Sequence, residues 1–341
     1  MATHARGLAN ILAKLPADAV ILSSVRTPVC RAHKGKFKDA YPEELLAAVL
    51  AHIRSSAEAA DVQDVGVGVV LSELGGSKAA RMAMNHVGYA NETSLFTINR
   101  ACASSLHAIA TVAAHIRTGM ISAGIGAGME SMTRNYATRA VPVDLWPALR
   151  DSPNRHARDC VMSMGLTSEN VASRYGVSRA DQDAFAQTSH LRAAKARGEH
   201  CFREEIVPVT TSFFAEGGEG GGGGGGGDGE EESSGQERRQ QQVRVTCDDG
   251  IRPGISLEAL ARLKPAFKPD GTSTAGNSSQ VSDGAAATLL MRRSVAVELG
   301  LGALIMGNTL LHGLRRDGVQ LGVVSMCVGT GMGMAALFAR E

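Results

Sequence analysis

Cys102 and Cys327 are the residues in this sequence best placed to do chemistry. Cys102 falls between an apolar stretch at 94–98 and a helix-patterned stretch that starts near Ala103. A thiol at a helix N-terminus meets the positive end of the macrodipole. Arg100 adds positive potential, so the thiol is expected to ionise easily. Cys327 closes an apolar run and precedes Gly329-Thr-Gly331. A glycine turn there would leave backbone N–H groups free to hold an oxyanion. Spacing alone fits two inert core cysteines as well, the commoner state of the residue. Other chemistries are excluded by spacing. Gly124, Gly126 and Gly128 do not follow the dinucleotide-loop pattern. None of the ten histidines forms a metalloprotease pair, and none of the six cysteines forms a CxxC pair, so a metal site is not expected.

The composition bounds what surrounds these residues. The chain has 341 residues, 44% hydrophobic and 20% charged, enough to bury a large core without disulfides. Lys plus Arg is 35 against 34 Asp plus Glu, a net charge of +1. That balance gives no electrostatic footprint for nucleic acid or an anionic membrane. No apolar run approaches the roughly 18–20 residues of a membrane helix. With no secretory pattern, a reducing compartment is expected.

Strand and helix patterns alternate along the first half. Short apolar runs at 19–23, 65–71, 94–98 and 121–128 read as strands. Helices are expected over 42–50, 81–88 and 103–118, with Gly119 as the last one's stop. This is an α/β pattern with a buried sheet. The middle third reads as loop over 135–159, helix over 168–175 and 179–197, and strand over 205–211. Residues 216–242 are a low-complexity insertion expected to be disordered; 11 of the 40 glycines lie between Gly217 and Gly229. Strands come next at 282–290, 303–306, 319–326 and 332–338, with helices at 292–299 and 310–316. The basic helix end, glycine and apolar strand of 114–128 recur at 312–328, pointing to a duplicated α/β unit. The second copy is short by a helix and a strand.

Six segments together resemble the thiolases, most nearly the 3-ketoacyl-CoA thiolases of peroxisomal type. They are 20–28 with 35–39, 99–108 around Cys102, 126–132, 164–172, 274–286, and 322–333 around Cys327. The resemblance implies a layered αβαβα fold of two similar halves with an inserted loop domain. The divisions are 1–18 as a flexible or targeting segment, 19–133 as the first half, 134–272 as the loop domain, and 273–341 as a truncated second half. It also implies thiolytic cleavage of 3-ketoacyl-CoA to acetyl-CoA and a shortened acyl-CoA. Coenzyme A is then a substrate, and no cofactor is bound. Cys102 would carry the acyl group as a thioester, and Cys327 would move the proton at the acetyl carbon. Gly329 would open the oxyanion turn, and Ser279, Met164 and Gly165 would line the CoA site. A homodimer is implied, with no nucleic-acid or membrane partner. The first residues loosely match a peroxisomal signal, with a mitochondrial address as the alternative.

Two family motifs do not occur. These are Asn-Glu-Ala-Phe, which supports an oxyanion, and Gly-His-Pro, whose histidine activates the nucleophile. The catalytic histidine is therefore absent, and little turnover is expected. His312 matches a helix position outside the active site and reads as a surface residue. Ala101 and Ser105 also depart from the usual Gln and Gly around the nucleophile. A chain lacking a segment and an inactive thiolase-like protein that binds acyl-CoA or another subunit both fit these residues. A ketoacyl-synthase type is disfavoured by Cys327, since such enzymes place histidine there.

Overall fold

Near-continuous burial along three segments of small and branched residues, 64–68, 123–131 and 287–291, fixes the architecture. The computed structural model describes residues 7, 12–57, 60–139, 141–142, 144–215, 239–301 and 309–340. The expected insertion at 216–242 lies outside these residues for 216–238, as do the strand expected at 303–306 and most of the 1–18 segment.

In chain order, the first elements are β1 (Ala19–Arg26), β2 (Cys30–Arg31), α1 (Pro42–Ser56), β3 (Asp64–Gly68), α2 (Ser77–His86), β4 (Ser94–Ile98), α3 (Ser104–Thr118), β5 (Ala123–Ser131) and α4 (Met132–Arg139). Two short helices, Pro147–Arg150 and Arg155–Arg158, are α5 and α6. Then come α7 (Met164–Tyr175), α8 (Arg179–Gly198), β6 (Val209–Ala215), β7 (Arg239–Val245), α9 (Leu257–Ala261), β8 (Ser282–Arg292), α10 (Arg293–Glu298), α11 (Thr309–Arg316), β9 (Leu321–Cys327) and β10 (Gly333–Ala339).

The main sheet runs β1-β8-β5-β3-β4, with β2 also paired to β8. β3 is parallel to β4 and β5, whereas β8 is antiparallel to both β5 and β1. Because side chains alternate along a strand, each face collects one parity. Val65, Val67, Ile125, Ala127, Leu289 and Met291 join the core with Leu45, Leu46, Val49 and Met84 of α1 and α2. Leu290 packs with Val112 and Ile116 of α3 on the other face. Helices thus cover both faces of the sheet. α3 lies close because the strand beneath it offers glycine. A Cβ at Gly126 would stand 2.6 Å from the Ile109 Cα, closer than packed atoms allow.

β8 begins just after the division expected at residue 273. The resemblance places it in the second half, but it hydrogen-bonds β1 and β5 and is therefore an inner strand of the first-half sheet. The portion of the chain beyond β8 is small: α11 packs on a separate two-stranded sheet of β9 and β10. Leu310 and Leu314 of α11 lie against Gly322 of β9.

The loop region is tied by buried carboxylates. Glu169 of α7 accepts the backbone N–H groups of Thr272 and Ser273, and these bonds hold its pKa down against burial, the largest opposing effect. Asp183 of α8 pairs with Arg179 at 2.8 Å and accepts from Asn277 Nδ2 at 2.9 Å. Ser178 caps α8 by accepting from the Asp181 N–H.

Candidate active site

Cys102 lies on the loop from β4 to α3, and a relay of hydrogen bonds shapes that loop. Glu130 of β5 accepts the N–H groups of Val70 and Leu71 through Oε2 at 3.1 and 3.2 Å. The Val70 carbonyl receives Asn99 Nδ2 at 3.3 Å. Asn99 Oδ1 then accepts the Ala101 N–H at 2.9 Å. This turn holds Ala101 at φ 44°, a left-handed conformation costly for a residue with a Cβ. Ser104 closes the loop. Its hydroxyl accepts the Arg100 N–H at 2.9 Å and donates to the Ala101 carbonyl at 2.6 Å. Sequence reasoning missed this support. An Asn two residues before a residue with positive φ was its available signal.

The environment of Cys102 differs from the expectation of easy ionisation. Cys102 is exposed, yet its pKa is raised from the ordinary thiol value, first by partial desolvation against the loop and then by the charge and hydrogen bonding of Cys327. The physical reason is visible in the loop. α3 starts two residues later, at Ser104, and the Arg100 guanidinium turns to His107, with Nε donating to Nδ1 at 2.7 Å. Burial and then Arg100 lower the His107 pKa, so this imidazole is neutral at pH 7.

Cys327 ends β9, opposite Gly333 of β10. Its thiol lies near enough to Cys102 to raise the Cys102 pKa. The turn after Cys327 is left-handed through Gly329 (φ 52°), Thr330 (φ 49°) and Gly331 (φ 82°). It is closed by Val328 N–H to the Met332 carbonyl and Met332 N–H to the Gly329 carbonyl, both 3.0 Å. This turn leaves the Gly329, Thr330 and Gly331 N–H groups outside its own two hydrogen bonds.

The other named residues sit on the loop region. Met164, 61% exposed, begins α7. Gly165 is buried against the Phe267 ring, which leaves no room for a Cβ. Ser279 is exposed, two residues beyond Asn277. His312 is a correction: it is 8% exposed, not a surface residue. α11 docks it over Glu204 and Glu205, with Nδ1 3.7 Å from Glu204, and burial lowers its pKa. Beside it, Thr309 donates to the fully buried Glu205 at 2.8 Å. Glu205 in turn pairs with Arg26 at 2.6 Å. Among the described residues no group of three or more His, Cys, Asp or Glu could hold a metal ion. No helix among them is long and apolar enough to cross a membrane.

A layered α/β fold that sets one cysteine before a helix against another on a glycine turn defines a two-thiol site. A family profile described as "Thiolase, N-terminal domain" matches residues 19–218 and 233–294. The chain belongs to the thiolase family. The match breaks at 219–232, inside the glycine-rich stretch, and ends just past β8. The chain is 36% identical to 3-ketoacyl-CoA thiolase 2, peroxisomal, of Arabidopsis thaliana, over 95% of this chain and 84% of that protein. That alignment spans 412 positions, 71 more than the chain has residues, so the relative carries sequence this chain lacks. Identity to the human peroxisomal 3-ketoacyl-CoA thiolase is 44%, over 84% of this chain and 62% of the human protein's length. The dimeric peroxisomal thiolase of Saccharomyces cerevisiae superposes with a TM-score of 0.78 at 29% identity, covering 97% of this chain and 99% of that one.

Proposed function

We propose that this chain performs thiolase-type acyl transfer on 3-ketoacyl-CoA, at low turnover. The approach of Cys327 to Cys102 supports the reading most directly. The Cys102 thiolate attacks the 3-keto carbon, and the alkoxide formed rests on the N–H groups of the turn that starts at Gly329. Collapse breaks the C2–C3 bond. The acyl group stays on the Cys102 sulfur, and the electron pair goes to the acetyl-CoA enolate. The Cys327 thiol gives its proton to C2, and acetyl-CoA leaves. The Cys327 thiolate then takes the proton of an incoming CoA thiol, whose sulfur displaces the acyl group from Cys102. Met164, Gly165 and Ser279 form the CoA side of the site. The relatives' names support a peroxisomal address and a role in β-oxidation, and the yeast structure supports a homodimer.

Low turnover is expected from the protonated resting state of Cys102. Its pKa is raised, and the Gly-His-Pro histidine that would take its proton is missing. General-base help is worth about 10²–10⁴ in rate. Acetyl-CoA release from a 3-ketoacyl-CoA and CoA tests the proposal, with the mass of the Cys102 peptide followed in parallel. The expected result is slow release with an acyl adduct at Cys102, both lost in Cys102→Ala. A rate equal to that of the human relative would overturn the low turnover. No adduct at Cys102 would overturn the reaction and leave the second reading, an acyl-CoA-binding protein without catalysis, which the two missing motifs favour.

A further inference from the structure

α11 is seated through an imidazole as well as through leucines. Its buried residues are Leu311, His312 and Leu314. His312 Nδ1 stands 3.7 Å from the Glu204 carboxylate, beyond hydrogen-bond range, and Nε2 is buried with no partner among the described residues. Charged groups face this ring from several sides. The loop before β6 brings Glu204 and Glu205, β1 brings Arg26, and α11 itself brings Arg315. Glu205 already pairs with Arg26 at 2.6 Å, and the exposed Glu204 is shared with Arg315 at 4.0 Å. Arg316 turns to Asp317 at 2.8 Å, and β9 carries no charged residue. Both carboxylates thus already face a guanidinium. A proton on His312 would set a third positive charge beside Arg26 and Arg315, in a site largely closed to water.

We propose that His312 is an acid-released latch: neutral, it lets α11 dock over Glu204 and Glu205, and on protonation the helix lifts and draws Cys327 away from Cys102. The connection is short, since only residues 317–320 separate α11 from β9, whose last residue is Cys327. The latch belongs to the fold and does not depend on the acyl-transfer reading. Its direction follows from the surroundings. Burial pushes the docked imidazole below its ordinary value, Glu205 and Glu204 pull it up, and Arg315 and Arg26 push it down. Once released, the ring returns to about 6.5. The released state therefore takes up a proton that the docked state refuses, and docking weakens as pH falls below about 6.5.

Hydrogen exchange of the full chain tests this, followed by peptide mass from about pH 8 to about 5.5, above the range in which carboxylates titrate. Each rate is divided by the intrinsic rate at that pH. Protection of α11 and β9 should fall several-fold toward the acid end, while that of β5 holds. His312→Leu, which keeps an apolar filling and cannot titrate, should remove this fall. Glu204→Gln changes an exposed side chain, so its folding is not at issue. It removes a charge that favours the imidazolium, and the midpoint of the fall should move to lower pH. Protection of α11 that is flat or rises on acidification would overturn the inference. So would a fall shared equally by β5, a fall that persists in folded His312→Leu, or a midpoint unmoved in Glu204→Gln.

Discussion

Cys327, at the end of β9, raises the pKa of Cys102 on the loop after β4. Partial desolvation first, and Cys327 second, hold Cys102 protonated. Thiolate at Cys102 therefore forms only as pH climbs above the ordinary thiol range of about 8.5. Alkylation of Cys102 by iodoacetamide, tracked by peptide mass, should rise with a midpoint above that value. In Cys327→Ala the contribution of the neighbouring thiol disappears while desolvation remains, so the midpoint should move down. A midpoint that stays put in the variant would show that the two thiols do not communicate.

Gly126 sets how near α3 approaches the sheet. Gly126→Ala would place a methyl 2.6 Å from the Ile109 Cα, and backbone cannot yield as a side-chain tip can. The helix must lift, carrying the Cys102 loop with it. A loss of about 2–3 kcal/mol in urea unfolding is expected. Cys102 and Cys327 should also become harder to join by a short bifunctional thiol reagent. Unchanged stability would mean that α3 has slack.

Ala101 is the strained point of the nucleophile loop. Ala101→Val puts a β-branched side chain at φ 44° and should cost more than about 1 kcal/mol. Ala101→Gly should unfold at a urea concentration at least as high as the original chain. If valine is tolerated as well as glycine, the left-handed turn is not maintained in solution.

Glu205 anchors the last segment. It has no exposed surface, accepts from Arg26 and Thr309, and its Oε2 has no partner among the described residues. Glu205→Gln removes the charge that Arg26 faces, although Arg26 keeps Asp248 at 2.7 Å. Breaking such a buried pair costs about 3 kcal/mol. Urea unfolding should show that loss. Limited proteolysis should begin within 309–340, the part Thr309 helps to seat. Cleavage spread evenly along the chain would remove this anchoring role.

Much of the fold was legible because the first-half strands are continuous apolar runs bounded by turn residues. β4 falls on the expected 94–98, and α3 and α8 differ from expectation by one residue at an end. Other features were hidden by non-local pairing. β7 reads Arg-Gln-Gln-Gln-Val-Arg-Val, with apolar alternation only in its last three residues, and its polar start is a strand because β6 pairs with it. β6 itself lies at Val209–Ala215, four residues beyond the expected start. The place of β8 between β1 and β5 has no local signature, because it is set by pairing across about 150 residues of chain. In the site, residue type and neighbouring glycines singled out Cys102 and Cys327, but only the thiolase resemblance joined them into one site. The direction of the Cys102 pKa was not legible, since it depends on which groups the folded loop turns toward the sulfur. Nor was the burial of His312, which is decided by the docking of α11.

The inner position of β8 has a consequence for how the chain is born. β1 and β5 are not neighbours; each hydrogen-bonds β8, which starts about 150 residues after β5 ends. A ribosome that has released everything through α9 has delivered an unpaired β1 and the β5-β3-β4 fragment with open edges, besides the separate β6-β7 ribbon. The central ladder forms when residue 292 clears the exit tunnel, so closure comes late in synthesis. Until then the edges of β1 and β5 are templates for any extended strand nearby. Nascent chains arrested before β8 should therefore stay bound to chaperones, and those arrested beyond it should be released.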